Sequence, residues 1–231
     1  MRPISVLLAD DQPMIRTGFR FILEAEPDIV VVGEAADGQE ALEETRRLSP
    51  DIVLMDIRMP RMDGVEATRL IGEEGSPSRV IILTTFDLDA HVVDALRAGA
   101  SSFLVKDGPA DSLIEAIRTV AAGDAVLAPR VTRRLLDRFA GMPSDTAPTV
   151  PPRLDRLTSR EVDVLRALAR GLSNAEISLD LGIGETTVKS HVAHILGKFR
   201  LRDRVQAVIL AYDSGLVTPA GRTSPVPPER D

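Results

Sequence analysis

The sequence predicts an α/β domain of five βα units around a parallel sheet, followed by a small all-α domain that contains a helix-turn-helix. Three observations predict it. Short runs rich in Val, Ile and Leu alternate with helical patterns as far as about residue 126, as expected of strands buried on both faces. A stretch with four prolines, GMPSDTAPTVPP at 141–152, then ends all apolar periodicity, which reads as an extended linker. Beyond it, closely spaced helix-capping signals flank a glycine turn.

In the first part, Ser5–Ala9, Ile29–Gly33, Asp51–Asp56, Arg79–Thr84 and Ser102–Val105 read as strands. Between them Pro13 opens a helix, Asp37 with Glu40 forms a capping signal, and Gly99 after VVDALRA stops a helix. Pro129 to Ala140 reads as a short connector helix with Val131, Leu135, Leu136 and Phe139 on one side. The expected division is therefore 1–126 for the α/β domain, 127–153 for connector helix and linker, and 154–217 for the helical domain. The proline-rich tail at 218–231 is expected to be disordered.

In the helical domain Thr158 with Glu161, Ser173 with Glu176 and Asp203 with Gln206 read as capping boxes, and Gly184 starts a further helix near Glu185. That helix would bury Val188, Val192, Ile195, Leu196 and Phe199. It would leave Glu185, Thr186, Thr187, Lys189, Ser190 and Ala193 outside. Short polar groups and a lysine near the N-terminus of such a helix suit a major groove. Taken alone, a plain helical hairpin fits as well. Gly197 inside the helix costs about 1 kcal/mol relative to alanine.

Composition narrows the function. The chain has 231 residues, no cysteine and a net charge of -7. Disulfides and thiolate metal sites are excluded, and three histidines (His91, His191, His194) are too few and too badly spaced for a zinc site, so no structural metal is implied; His191 and His194 read as packing or backbone-contacting residues rather than ligands. Residues 1–128 carry 12 basic and 23 acidic groups, net -11, whereas 153–217 carry 10 and 8, net +2. Only the second part could approach phosphates, and weakly. No apolar run suits a membrane helix and the N-terminus does not resemble a signal peptide. A soluble, cytoplasmic protein without a membrane partner is expected.

In a doubly wound sheet, ligands bind at the carboxyl ends of the strands. Asp10 and Asp11 end the first predicted strand, Asp56 the third, Thr84 the fourth, and Lys106 follows the fifth. Any one of them could be a cap or a solvated turn residue. Together they place three carboxylates, a hydroxyl and an ammonium in one crevice, an arrangement tolerable with a hard cation such as magnesium among the acids.

Asp-Asp after the first strand, MDIRMPRMDG around Asp56, LTTF with Thr84 and FLVKDGP with Lys106 resemble a response-regulator receiver domain over roughly residues 1–126. The resemblance implies a flavodoxin-like fold with Asp56 as phosphoacceptor and Mg2+ held by Asp10, Asp11, Asp56 and the backbone carbonyl of Arg58. It also implies that Thr84 and Lys106 contact the phosphoryl group, and that Phe103 is an aromatic that turns inward on activation; core packing explains Phe103 equally well. Ser102 departs from the glycine common at its position.

The run LTSREVDVLRALARGLSNAEISLDLGIGETTVKSHVAHILGKF is similar to a LuxR/NarL-type (FixJ-type) effector domain, with TVKSHV its most specific part. The resemblance implies double-stranded DNA as partner, base or backbone contacts from Thr187, Lys189 and Ser190, and a phosphate contact from Lys198. Ala193 stands where relatives often carry a polar or basic residue. The last helix, through Val205, Val208, Ile209 and Tyr212, would form a dimer contact, although core burial suits most of these. The implied protein is a two-component regulator of transcription, not an enzyme. The resemblance further implies a sensor histidine kinase that phosphorylates it, and a homodimer when it is phosphorylated or DNA-bound. Whether activation relieves inhibition or drives dimerisation stays open.

Two other classes of protein share part of this residue set. A haloacid-dehalogenase-type phosphatase expects a D-x-D motif after its first strand, but adjacent Asp10-Asp11 stands there and no lid segment follows. A scaffold that only keeps the fold is disfavoured by the intact Asp10, Asp11, Asp56, Thr84 and Lys106 set.

Overall fold

The computed structural model describes residues 2–84, 92–122 and 154–217. The connector helix expected at 129–140, the linker and the tail lie outside the described residues, as does His91. The α/β domain runs β1 (Ile4–Ala9), α1 (Pro13–Glu24), β2 (Ile29–Ala35), α2 (Gly38–Leu48), β3 (Ile52–Asp56), α3 (Gly64–Glu73), β4 (Arg79–Thr84), α4 (Val92–Arg97), β5 (Ser102–Val105) and α5 (Ala110–Ala121). Each predicted strand and the starts signalled by Pro13 and Asp37 are present. β2 extends two residues past its predicted end.

The five strands are parallel in the order β2-β1-β3-β4-β5. Chain direction across the sheet reverses between β1 and β3, the switch point at which flavodoxin-like folds place their ligands. Successive strand residues alternate between two faces. Leu7, Val53, Met55, Val80 and Ile82 pack with Ala41 and Leu42 of α2, Ala67 and Ile71 of α3, and Leu96 of α4. Val6, Leu8, Ile52, Leu54, Ile81 and Leu83 pack with Leu23 of α1 and Leu113, Ile117 and Val120 of α5. With helices over both faces, β3 is buried at every position, which is why the strands read as continuous apolar runs.

The helical domain comprises α6 (Ser159–Ala169), α7 (Asn174–Leu181), α8 (Glu185–Phe199) and α9 (Arg204–Asp213). Thr158 with Glu161 and Ser173 with Glu176 form complete capping boxes. The third is only half formed. Asp203 accepts from the Val205 and Gln206 amides, but the Gln206 amide group donates instead to the Leu96 carbonyl of the first domain, at 2.8 Å. Gly182 ends α7 in the left-handed region at φ 64, a conformation that costs glycine little; the turn to α8 follows. Val164, Leu165, Leu168, Ile177, Val188, Ile195 and Val208 form the core.

Val205 and Ile209 of α9 leave this core and join Ile71, Leu96 and Ala100 of the first domain. Two more contacts reinforce the seam: Arg202 donates to the Ile71 and Gly72 carbonyls, and Arg97 pairs with Asp213.

Candidate functional site

Asp10 follows β1, Asp56 ends β3 and Lys106 follows β5, so the parallel register brings all three to one end of the sheet. The Lys106 ammonium lies 2.6 Å from Asp10 Oδ2 and 3.0 Å from Asp56 Oδ1. Asp11 is exposed at the rim, and each of Asp10, Asp11 and Asp56 can offer an oxygen within 4.8 Å of the others. Three convergent carboxylates with one ammonium suit magnesium, which takes few carboxylates and keeps waters exchangeable for phosphate oxygens.

Asp56 is 7 % exposed. Burial pushes its carboxyl above the ordinary range, Lys106 pulls it back down, and the Asp10 charge pushes it up again. Its charged form is thus held at a cost that an incoming cation would relieve. Thr84 is buried at the end of β4, and its carbonyl accepts from the Lys106 amide at 2.8 Å, which fixes the start of the Lys106 turn. Phe103 is buried in the core on the α3–α4 side. Arg58 lies just past β3 with its side chain exposed.

Gly64 explains part of the MDG run. A Cβ there would stand 1.9 Å from the Asp56 carbonyl oxygen, and its amide donates to the Ile57 carbonyl at 2.8 Å. Only glycine lets the N-terminus of α3 approach the acceptor strand this closely. The sequence reading missed Arg16. Its Nη1 donates to the Asp10 carbonyl at 2.7 Å while its Nε donates to Glu34 at 2.9 Å, bracing the first acidic turn from α1. A periodicity reading gives no signal for a side chain that reaches back across a turn.

On α8 the predicted faces are present. Val188 and Ile195 are buried, Val192, Leu196 and Phe199 pack on the core, and Glu185, Thr186, Thr187, Lys189, Ser190 and Ala193 are exposed. Lys189 lies 3.7 Å from Glu185. Lys198 is different: its ammonium sits 2.6 Å from Glu161 of α6. That carboxylate is held down to about 2, chiefly by Lys198 and by the Thr158 backbone.

The four residues expected at a dimer contact are covered in this conformation. Val205 and Ile209 face the first domain, Val208 is in the helical core, and Tyr212 donates its hydroxyl to the Ala169 carbonyl. No helix among the described residues is long and apolar enough to cross a membrane.

Residues 6–118 match the family described as "Response regulator receiver domain", and residues 155–211 match "Bacterial regulatory proteins, luxR family". The chain is similar to "Transcriptional regulatory protein LiaR" of Bacillus subtilis (strain 168), at 41% identity over 93% of this chain and 99% of that one. It is also similar to "Nitrate/nitrite response regulator protein NarL" of Escherichia coli (strain K12), at 38% identity over 91% and 95%. Among solved structures, the response regulator ChrA of a heme-sensing two-component system aligns over 94% of this chain and 100% of its own, with 36% identity and a TM-score of 0.52.

Proposed function

The chain belongs to the two-component response regulators that join a receiver domain to a LuxR-family DNA-binding domain and regulate transcription, and from that premise we propose that Asp56 accepts a phosphoryl group from a sensor histidine kinase. The observation that carries this is the Lys106 ammonium set between Asp10 and Asp56 at the switch point of the sheet. In the transfer, an Asp56 oxygen forms the new bond to phosphorus as the bond to the kinase histidine nitrogen breaks. Asp10, Asp11, Asp56 and the Arg58 carbonyl would hold Mg2+, which when bound supplies positive charge against the phosphoryl oxygens. Lys106 leaves its carboxylate partners for the phosphoryl group, Thr84 hydrogen-bonds it, and Phe103 follows Thr84 inward. The outcome is a modified regulator rather than a released product, so the role is not enzymatic.

Thr187, Lys189 and Ser190 at the exposed start of α8 would meet double-stranded DNA, with Lys198 reaching a phosphate. Thr187, Lys189 and Ser190 are exposed while Val205 and Ile209 are covered by the receiver, which favours control of pairing over control of reading. In this proposal the unphosphorylated protein keeps α9 on the receiver. Phosphorylation shifts the population toward an open form in which α9, through Val205, Val208, Ile209 and Tyr212, supports a homodimer on a two-fold site. The setting is cytoplasmic.

The test uses the full chain and a small phosphodonor with magnesium. Incorporation that Asp56→Asn abolishes, together with tighter binding of a two-fold DNA site, is the expected result. Labelling that survives Asp56→Asn overturns the acceptor assignment, and DNA binding indifferent to phosphorylation overturns the coupling.

A further inference from the structure

Outside the acidic pocket, one other group of ligating side chains converges among the described residues. Glu161 in the first turn of α6, and His191 and His194 on α8, can each present one ligand atom with all three within 4.8 Å of one another. Sequence spacing gives little hint of it. Two histidines three apart share one face of a helix, but the third ligand comes from a helix some thirty residues earlier and arrives only because α6 packs on α8.

The division of labour within Glu161 leaves room for an ion. Oε2 receives the Thr158 amide at 2.7 Å, the Thr158 hydroxyl at 3.0 Å and the Lys198 ammonium at 2.6 Å. Oε1 carries none of these and faces His194 Nδ1 at 3.9 Å, too far for a hydrogen bond. Neither imidazole makes a hydrogen bond among the described residues. The site is also open, since the His194 side chain is 67% exposed beside a carboxylate that is 4% exposed.

We propose that Glu161, His191 and His194 form a binding site for a transition-metal dication of the zinc class, and that Lys198 is its built-in competitor. Two imidazoles and one carboxylate, with a water in the fourth position, are a set that zinc accepts in tetrahedral geometry. Imidazole also suits nickel and copper, whereas magnesium and calcium take all-oxygen sets; this is therefore not a second site for the receiver's ion. Tetrahedral bonds of about 2.0–2.1 Å put ligands about 3.4 Å apart, so from within 4.8 Å the three atoms need only a small closure, taken up by the half-buried His191 and the exposed His194. The carboxylate is already ionised and fixed by the capping box, and needs no reorganisation.

Lys198 now supplies the positive charge that the buried carboxylate requires. A dication on Oε1 supplies it instead and repels the ammonium, and the half-exposed stem of Lys198 gives it a way out to solvent. Metal binding thus exchanges one counter-charge for another across the junction of α6 with the reading helix.

Calorimetric titration of the full-length protein with zinc, in excess magnesium, tests this, with cobalt as an absorbance probe of tetrahedral coordination. The receiver carboxylates are intact in every variant and cancel in the comparison. His191→Asn and His194→Asn are each expected to weaken binding at least tenfold. Lys198→Met, by removing the competitor, is expected to tighten it about tenfold. His194 is exposed, and an unchanged melting curve for its variant shows that lost binding is not lost folding. Zinc affinity that survives both histidine replacements would place the ion elsewhere and overturn the site, and a Lys198→Met protein that binds no tighter would overturn the competition. The readout involves neither DNA nor phosphodonor, so it stands apart from the proposed function.

Discussion

The Arg202 guanidinium donates to the Gly72 carbonyl at 2.6 Å, joining residues 130 apart in the chain and belonging to different domains. It reaches the Ile71 carbonyl as well, at 3.2 Å. Both acceptors lie in the last turn of α3, where Ile71 also accepts from the Ser76 amide and Gly72 from the Gly75 amide, and where the helix dipole favours a cation. The effector domain thus caps a receiver helix in trans. Beside it, Gln206 bonds the Leu96 carbonyl, and Val205 and Ile209 close the apolar side of the seam.

Arg202→Ala should therefore loosen the closed form without touching either core. Two hydrogen bonds from a charged donor, half-buried, are worth about 1–2 kcal/mol net, which corresponds to a five- to thirty-fold shift toward the open form. The unphosphorylated variant should bind a two-fold DNA site more tightly than wild type by up to that factor, measured by fluorescence anisotropy. Unchanged binding would mean that α9 is not what limits the resting protein.

Asp203→Asn should act in the opposite direction. Asp203 is fully buried at the seam, and burial pushes its carboxyl up, while Ser101, the α9 amides and the Arg79 charge pull it down. A carboxyl raised in the docked state favours docking when protonated. That contribution is present below the ordinary carboxyl range and is lost as pH rises through the raised value. Above that value the ionised group opposes closure, so there Asn, which keeps the cap, should tighten docking and weaken unphosphorylated DNA binding, and it should flatten the pH dependence of that binding. A variant with the wild-type pH profile would assign that dependence to another group.

The contrast between these two residues and the acidic pocket shows what a sequence discloses. Asp10, Asp56, Thr84 and Lys106 were readable because a parallel sheet sends every strand end to one edge, so position along the chain fixes position in space. The faces of α8 were readable because helical periodicity sorts them. Arg202 and Gln206 gave no such signal. Gln206 even fits a local capping box, and only the receiver's Leu96 carbonyl diverts it. Partners across a domain boundary follow from tertiary docking, which no local pattern encodes. Likewise Val205 and Ile209 show an apolar stripe whether they meet a second copy or the receiver.

Lys106→Met should slow phosphorylation of Asp56 far more than it harms the fold. The ammonium bridges Asp10 and Asp56, so its loss leaves two buried carboxylates without their shared counter-charge. Such losses leave uncompensated charge and cost stability, and magnesium should recover part of it by binding the same oxygens. The expected signature is a lowered melting point that rises with magnesium more steeply than in wild type, together with weak labelling by a small phosphodonor. Labelling at the wild-type rate would remove Lys106 from the transfer.

Lys189 and Lys198 sit on the same helix but should behave differently on mutation to alanine. Lys189 is exposed, its nearest carboxylate is the 3.7 Å pair with Glu185, and such a surface pair contributes little. Lys189→Ala should leave the melting point nearly unchanged, weaken DNA binding, and reduce the slope of log affinity against log salt by about one, as loss of one phosphate contact requires. Lys198 is held by Glu161, a buried carboxylate kept near 2. Lys198→Ala should destabilise the helical domain first, because Glu161 would keep its capping bonds but lose its counter-charge. Since a lowered carboxyl pKa contributes stability that is present above the ordinary carboxyl range and fades as pH falls toward about 2, the wild-type domain should lose stability in that acid window, and Lys198→Ala should lose less there. Equal salt slopes and equal melting points for the two variants would show that the Glu161 pair does not hold Lys198 in the free protein.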